Sequence, residues 1–237
     1  MNYIKMPYLP QKRVALLIAD CDVPGTAIVP PPRIKCLPYS MQRHADLGIC
    51  IVSERTAVCP PDTFGYYSAA LSPYGFSVVC GKSALGSNYP QDSAYNVGIA
   101  GNYCFMNTKI CDSVLKEKIS ESKFTVLDVK QGYSKCSMCA LSENLILTSD
   151  MSIKRACEKN GIDTIFTDSS FVRLGGFSYG FIGGAVTMID KDTLLFNGSV
   201  PKNLPLLKEL EKRGIRTQFL HSGPLLDIGS LIPLMTT

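Results

Sequence analysis

Two cysteines separated by two residues are the side chains in this sequence best suited to covalent chemistry. Cys136 and Cys139 form a C-x-x-C pair, and Lys135 directly precedes the pair. A thiolate attacks electron-poor carbon, and a neighbouring cation lowers the pKa of a cysteine and so favours the thiolate. Both cysteines are therefore candidate nucleophiles, while burial as inert apolar thiols is the competing interpretation.

One histidine and two aspartates could complete such chemistry. His44 lies two residues before Asp46, and Asp227 occupies a similar apolar setting near the end of the chain. A histidine can move protons, and carboxylates can hold a planar guanidinium or an ammonium group. These residues predict a small cationic ligand, although strand-start aspartates and a capping histidine also occur for purely structural reasons.

Two loop segments could shape such a site. The glycine-rich segment 173–180 is long enough to cover it as a lid, and Arg173 could hold a substrate carboxylate unless it is an ordinary surface arginine. Asp92, four residues before Asn96, is a further candidate for ligand binding.

No motif indicates a metal or a cofactor. The C-x-x-C pair lacks the second pair of cysteines or histidines that structural zinc requires. The glycine-rich segment has no Gly-Lys-Ser/Thr, and no strand is followed by G-x-G-x-x-G. We expect neither a metal nor a cofactor.

Composition excludes several classes of protein. The 237 residues are 46% hydrophobic and 19% charged, which excludes global disorder. The net charge of +4 comes from scattered lysines and arginines, so we expect no DNA partner, and neither DNA nor RNA as the main partner. No apolar run approaches the roughly 20 residues of a membrane helix, and the N-terminus resembles no signal peptide. We therefore expect a cytoplasmic protein that does not contact a membrane.

The chain is periodic. Four segments each read as two short strands joined by a polar turn, which is the pattern of a hairpin. These hairpins span residues 44–60, 94–107, 135–149 and 181–199. The helices predicted to follow them span 62–71, 108–119, 150–159 and 201–213. The further strands predicted after these helices span 76–81, 124–129, 163–168 and 216–221.

A fifth unit is divided between the two ends of the chain. Its first strand is predicted within 225–234, and its other strands at 13–20 and 33–38, with a proline-rich link in place of the helix. Pairing the two ends closes a ring and leaves fewer sheet edges unpaired. The sequence thus predicts a single α/β domain over 1–237, a five-bladed α/β propeller of repeated ββαβ units.

Aligning the first strands of the five units places polar residues in one column and small residues in another. The polar column contains Asp46, Asn96, Ser137, Gly183 and Asp227. The small column contains Gly48, Gly98, Cys139, Ala185 and Gly229. Because unpaired polar groups are costly to bury, we expect the polar column to line a shared central channel.

This arrangement resembles the pentein fold, the five-bladed α/β propeller of arginine deiminases, agmatine deiminases, amidinotransferases and dimethylargininases. Gly183-Gly184-Ala185, with the later Phe196-Asn197-Gly198-Ser199, is similar to the Gly-Gly-Asp strand and the Gly-x-Ser of the deiminases. His44-Ala45-Asp46 is similar to a His-x-Asp of the family. The family's nucleophilic cysteine lies on the first strand of the last unit, where this chain has Ser230.

The resemblance leaves two functions open. The first is an enzyme, a hydrolase or an amidinotransferase, that acts on a small guanidino, amidine or other cationic metabolite through Cys136 or Cys139. The second is a non-catalytic binding protein that associates with the ribosome or another protein, because penteins include the initiation factor that keeps ribosomal subunits apart.

Overall fold

The computed structural model describes residues 1–237, which form sixteen strands and seven α-helices. The strands are β1 (Asn2–Tyr3), β2 (Val14–Ile18), β3 (Ala27–Val29), β4 (Cys50–Ile51), β5 (Thr56–Cys59), β6 (Ser77–Cys80), β7 (Gly98–Ala100), β8 (Tyr103–Met106), β9 (Thr125–Asp128), β10 (Met138–Ser142), β11 (Leu145–Thr148), β12 (Asp163–Phe166), β13 (Val186–Met188), β14 (Thr193–Phe196), β15 (Arg216–Phe219) and β16 (Ile232–Thr236). The helices are α1 (Ala45–Gly48), α2 (Pro61–Leu71), α3 (Ser113–Glu121), α4 (Ser134–Ser137), α5 (Met151–Lys159), α6 (Ile182–Ala185) and α7 (Pro205–Lys212).

The strands form five small sheets of the same design. In each of the four complete units an antiparallel hairpin is followed by a helix and by a third strand, which pairs in parallel with the second strand of the hairpin. The parallel strand needs a crossover connection, which the helix supplies. The predicted ββαβ repeat is therefore present in every complete unit.

The fifth sheet joins the two ends of the chain. Strand β16 is antiparallel to β2, with Ile232 opposite Ile18, and β3 adds in parallel on the far side of β2. The short strand β1 pairs with the other edge of β16. The two termini therefore complete one blade, as the sequence predicted.

The prediction of a strand at 33–38 is wrong. The third strand of the fifth sheet is β3, which lies inside the segment predicted to be a link. A turn at Gly25, with φ of 76°, returns the chain beside β2. The strand ends at Pro30, because proline lacks the N–H that a ladder requires.

Helix α3 begins later than the predicted 108–119, and α7 later than the predicted 201–213. The Asp112 side chain accepts hydrogen bonds from Val114 N and Leu115 N, so it caps α3 and fixes its start. Helix α7 begins with Pro205 in its first turn, a position where the missing N–H has no partner to lose. Asp150 caps α5 in the same way, by accepting from Ser152 N and Ile153 N.

The residues aligned as strand starts also differ from the prediction. Three of the five segments are single helical turns, α1, α4 and α6, and each strand begins after its turn. We aligned the units by the register of their hairpins and counted residues back from the first strand of each. By this count Asp46 occupies the same position in its unit as Lys135 and Gly183 in theirs, and Ser137 and Asp227 do not. The turns pack tightly, because a Cβ on Gly183 would collide with the carbonyl oxygen of Met138.

None of the helices combines the length and the apolar composition needed to cross a bilayer. The side chains packed between the sheets and the outer helices form the core. The short turns at the centre of the ring carry the polar residues that the following section describes.

Candidate functional site

Five buried polar residues from four units meet at the centre of the ring. We call Asp46, Asn96, Lys135, Cys136 and Ser230 the central cluster, and each is at most 6% exposed. Such burial is unfavourable unless the polar groups bind one another. Helical turns α1 and α4 carry Asp46, Lys135 and Cys136. The segments just before β7 and β16 carry Asn96 and Ser230, so side chains from different units meet and pair there.

Asn96 connects Asp46 to Cys136. Its Oδ1 accepts a hydrogen bond from Cys136 N over 3.1 Å, which fixes the orientation of the amide. Its Nδ2 therefore faces Cys136 Sγ at 3.0 Å and Asp46 O at 3.1 Å. The amide presents a donor to the sulfur in every protonation state of the thiol.

Asp46 is hydrogen-bonded to the sulfur of Cys136. The Cys136 thiol donates to Asp46 Oδ2 over 3.0 Å, while Asp46 Oδ1 has no hydrogen-bond partner. Burial, and then the charges of Asp46 and Asp227, raise the pKa of Cys136 well above its ordinary value. Burial also raises the pKa of Asp46. Both shifts favour the protonated forms of the two groups.

Burial and the charges of Asp46 and Asp227 keep the pKa of Cys136 raised although Lys135 precedes it, whereas the charge of Lys135 lowers the pKa of Cys139 against the effect of burial. The Lys135 side chain binds elsewhere in the cluster. Its Nζ donates to Ser230 Oγ over 3.3 Å and lies 4.9 Å from the centre of the Tyr8 ring. Ser230 Oγ in turn lies 2.5 Å from Asp46 Oδ2.

A cavity of about 290 Å³ opens onto one side of the cluster. Cys136, His44 and Asp227 are, besides two tyrosines, the ionisable residues of its lining. Much of the wall is aromatic, from Tyr133, Phe177, Tyr179 and Phe181. Aromatic faces around a carboxylate suit a flat cation.

Asp227 is the charged group of this cavity. Its Oδ2 accepts from Phe181 N over 2.8 Å, and its Oδ1 from Gly229 N over 2.9 Å. Burial raises the pKa of Asp227 to about 6, against the opposing effect of these two backbone donors. Asp227 is therefore mostly ionised at pH 7. Gly184 leaves room for it, because a Cβ there would overlap Oδ1.

His44 lies at the cavity with an unpaired nitrogen. Its Nε2 has no hydrogen-bond partner, and burial lowers the pKa of the imidazole. A neutral imidazole with a free nitrogen can accept or pass on a proton. Gly229, with φ of 71°, allows His44 to pack against the backbone, because a Cβ there would collide with it.

The glycine-rich segment 173–180 lies over the cavity, and Leu174, Phe177 and Tyr179 contribute to its wall. The Arg173 side chain is exposed and is not part of that wall. Its carbonyl oxygen instead accepts from Asp227 N over 2.9 Å. Arg173 thus helps to place Asp227 through its backbone.

Three further sequence candidates lie outside the central cluster. Cys139 is buried among apolar side chains, and burial raises its pKa to about 11. Ser137 lines a separate cavity of about 410 Å³, and its Oγ has no partner. Asp92 lies behind the cavity wall, where its Oδ2 accepts from Tyr133 Oη over 2.7 Å.

The aromatic wall is the feature that sequence reasoning missed. Phe177, Tyr179 and Phe181 alternate with other residues at the end of the glycine-rich segment, and this interleaving was the available signal. Tyr133 carries no comparable signal. No group of three or more histidine, cysteine or acidic side chains is placed to hold a metal ion.

Comparison with solved structures identifies the class of fold. The chain is similar over its full length to the inosamine-phosphate amidinotransferase StrB1 from Streptomyces griseus, with a TM-score of 0.61, 11% identity and 98% of that chain covered. It is similar to SxtG, an amidinotransferase from Microseira wollei, with a TM-score of 0.53 and 10% identity, over 94% of this chain and 96% of that one.

A dimethylarginine dimethylaminohydrolase bound to S-methyl-L-thiocitrulline gives a TM-score of 0.56 and 11% identity, over 88% of this chain and 93% of that one. These proteins belong to the pentein superfamily, and this chain has the pentein fold. Residues 20–232 match a family of unknown function, DUF6873, and the chain belongs to that family. A comparison with curated proteins gives no match.

Proposed function

We propose that this protein is an enzyme that modifies guanidino or amidino groups, with Cys136 as its nucleophile. One observation carries the proposal: Cys136, His44 and Asp227 line the same aromatic cavity, and Asp46 lies 3.0 Å behind the sulfur. The fold shared with two amidinotransferases and a dimethylarginine dimethylaminohydrolase supports the same chemistry.

The cavity favours a planar cation as the ligand. Asp227 offers a negative charge above about pH 6, and the aromatic rings offer faces on which a guanidinium can stack. The bound cation also lies near the sulfur. Its positive charge stabilises the thiolate, so the substrate itself lowers the pKa that burial has raised.

The first half-reaction forms a bond between Cys136 Sγ and the central carbon of the guanidinium. The thiol proton passes to Asp46 Oδ2, and the carbon–nitrogen bond to the departing amine then breaks. The thiol proton finally reaches that amine, with His44, whose Nε2 has no hydrogen-bond partner, as the group that passes it on. The enzyme now carries a positively charged S-amidino group.

The second half-reaction releases the sulfur. In a hydrolase, water attacks the same carbon, one of its protons returns to Sγ and the other is released. In a transferase, an acceptor amine attacks instead and gives one proton to Sγ. Both routes restore the Cys136 thiol, so the proposal covers a hydrolase and an amidinotransferase.

The test uses two alkylating reagents of equal size and different charge. Chloroacetamidine is a cation, and chloroacetamide is its neutral counterpart. Each forms a bond from sulfur to its methylene carbon as chloride leaves and the thiol loses its proton. We expect the cation to label Cys136 at least about ten times faster than the neutral reagent at pH 7.5, because Asp227 and the rings bind it.

Peptide mass spectrometry locates the label. Cys136→Ala abolishes the fast reaction, while Cys139→Ala is the matched control and leaves it unchanged. Equal rates for the two reagents, or fast labelling at another cysteine, would contradict the proposal. Protection of Cys136 by methylguanidine would place the reagent and a guanidinium in the same cavity.

A second candidate is a binding protein that holds a cation without reacting with it. The raised pKa of Cys136 favours this alternative, because a protonated thiol is a poor nucleophile. Binding of methylguanidine that raises the melting temperature, together with slow labelling by chloroacetamidine, would support it. The ring would then serve as a ligand-dependent surface for the ribosome or another protein.

A further inference from the structure

A chain of hydrogen bonds continues from Asp46 away from the cavity. Asp46 Oδ2 lies 2.5 Å from Ser230 Oγ, which lies 3.3 Å from Lys135 Nζ. Ser230 Oγ is also 2.9 Å from Gly183 O. Neither Ser230 nor Lys135 lines the cavity, so a role for them must act through Asp46.

The Ser230 hydroxyl has one proton and two acceptors within reach. When Asp46 is ionised, the hydroxyl donates to Asp46 Oδ2. When Asp46 carries a proton, it can donate to Ser230 Oγ, and the hydroxyl proton can turn to Gly183 O. Lys135 Nζ donates to the serine oxygen in both arrangements, because that oxygen accepts two hydrogen bonds. The Ser230 hydroxyl therefore keeps a hydrogen bond to Asp46 whether or not Asp46 carries a proton.

The backbone at Ser230 supports a specific use of this hydroxyl. Its φ of 71° lies in the left-handed region, which glycine adopts freely and serine rarely. Such strain persists where the surrounding structure holds it, often at functional sites. Glycine would relieve the strain but would leave Asp46 and Lys135 without the group that joins them.

We propose that Ser230 and Lys135 are positioning residues that let one proton pass between Cys136 Sγ and Asp46 Oδ2. The proposal rests on the proposed function, in which Cys136 is the nucleophile. The S–H bond breaks and an O–H bond forms on Asp46, while the Ser230 proton turns to Gly183 O. Asn96 Nδ2 donates to the resulting thiolate. The Lys135 ammonium offsets the one negative charge that the pair carries throughout.

The titration of other groups near Cys136 and Asp46 can be distinguished from the titration of this pair. They are His44, Asp227, Tyr8, Tyr67 and Tyr133. Burial raises the pKa of each of the three phenols, so they remain neutral over the range tested. Burial lowers the pKa of His44, and the pKa of Asp227 is about 6. Changes in the reactivity of Cys136 above pH 7 therefore report on the pair.

The test is the pH profile of Cys136 alkylation by iodoacetamide, a neutral reagent, followed by peptide mass spectrometry. Ser230→Gly removes the hydroxyl and suits the backbone, and Ser230→Ala removes it without relieving the strain. In both variants the negatively charged pair of Cys136 and Asp46 loses a hydrogen-bond donor. We therefore expect the midpoint of the Cys136 alkylation profile to rise by about one pH unit in both. Lys135→Met should raise it by at least as much, because the pair loses a nearby cation.

The exposed Cys80 is the internal reference and should keep its profile in all variants. An unchanged midpoint in Ser230→Gly, with Cys136 still reactive, would overturn the role of Ser230 and leave the nucleophile in place. Failure of Cys136 to react in the unmodified protein at any pH would overturn the proposed function and the relay with it. A shift in Ser230→Ala alone would assign the effect to strain and would also overturn the relay.

Discussion

Cys136 and Cys139 are close in sequence and equally buried, yet they lie in two different regions of the ring. Cys136 belongs to the axial turn α4, where its sulfur lies 3.0 Å from a carboxylate oxygen and from an amide nitrogen. Cys139 belongs to β10, where its sulfur donates to the carbonyl oxygen of Ala140 over 3.7 Å and lies near the backbone of Met188. The first sulfur is surrounded by polar atoms, and the second belongs to an apolar cluster.

The difference shows where this fold places its chemistry. The strands carry alternating side chains into the core on either side of each sheet, whereas a helical turn can direct neighbouring residues to one point. The chain changes from turn to strand at Met138. The polar groups of four units meet only on the turn side of that boundary.

The largest expected effect comes from disturbing the turns themselves. Gly183→Ala would place a Cβ against the carbonyl oxygens of Lys135, Cys136 and Met138, so the backbone must shift. We expect a loss of about 3 kcal/mol in the free energy of unfolding, measured by urea denaturation. The Cys136 labelling rate should fall as well, because the displaced atoms belong to its own turn.

Gly65→Ala is the control for this experiment. Gly65 lies in the outer helix α2 with no atom within 4 Å of an added Cβ. Alanine there should stabilise the protein by about 0.5–1 kcal/mol through its helix propensity. A Gly183→Ala protein as stable as the Gly65→Ala protein would show that the turns are not tightly packed.

Serine should reduce stability more at Cys139 and should abolish labelling only at Cys136. Cys139→Ser places a hydroxyl among apolar side chains, and we expect a loss of about 1–2 kcal/mol in the free energy of unfolding. Cys136→Ser retains partners in Asp46 and Asn96, so its loss should stay below about 1 kcal/mol. Only Cys136→Ser should abolish labelling by chloroacetamidine. Equal stability losses would contradict the contrast between the two regions.

The repeat in the sequence was sufficient to predict the fold. Apolar pairs of strands, capped helices and the split fifth unit are local patterns, and each occurs in the structure. The prediction of a strand at 33–38 failed because both short segments border the prolines at 30–32, and only pairing with β2 shows which of them forms the strand. Tertiary pairing therefore decided what local pattern left open.

The site could be predicted only in part. The alignment of polar columns was displaced by two residues in some units, yet Asp46, Asn96 and Ser230 still meet at the axis. The different environments of Cys136 and Cys139 could not be predicted from the sequence. They arise because α4 ends at Ser137, between the two cysteines, and no local pattern specifies that end. The aromatic wall also depends on how segment 173–180 folds back, and no local pattern specifies that.

The smallest expected effect is the pH dependence of cation binding. Burial raises the pKa of Asp227 to about 6, so this carboxyl is ionised above that pH and neutral below it. Affinity for methylguanidine, measured by calorimetry, should therefore fall about tenfold between pH 7.5 and pH 5. The loss follows the protonation of Asp227, since the cation then faces no charge in the cavity.

Asp227→Asn separates this effect from the titration of His44. The variant should bind methylguanidine weakly at pH 7.5, and its affinity should change little down to pH 5. If the affinity of the variant still falls tenfold with pH, then His44 rather than Asp227 controls the binding. Unchanged affinity in the variant at pH 7.5 would show that methylguanidine binds outside this cavity. The axial turn would then not differ from the strand in lying beside a cation site.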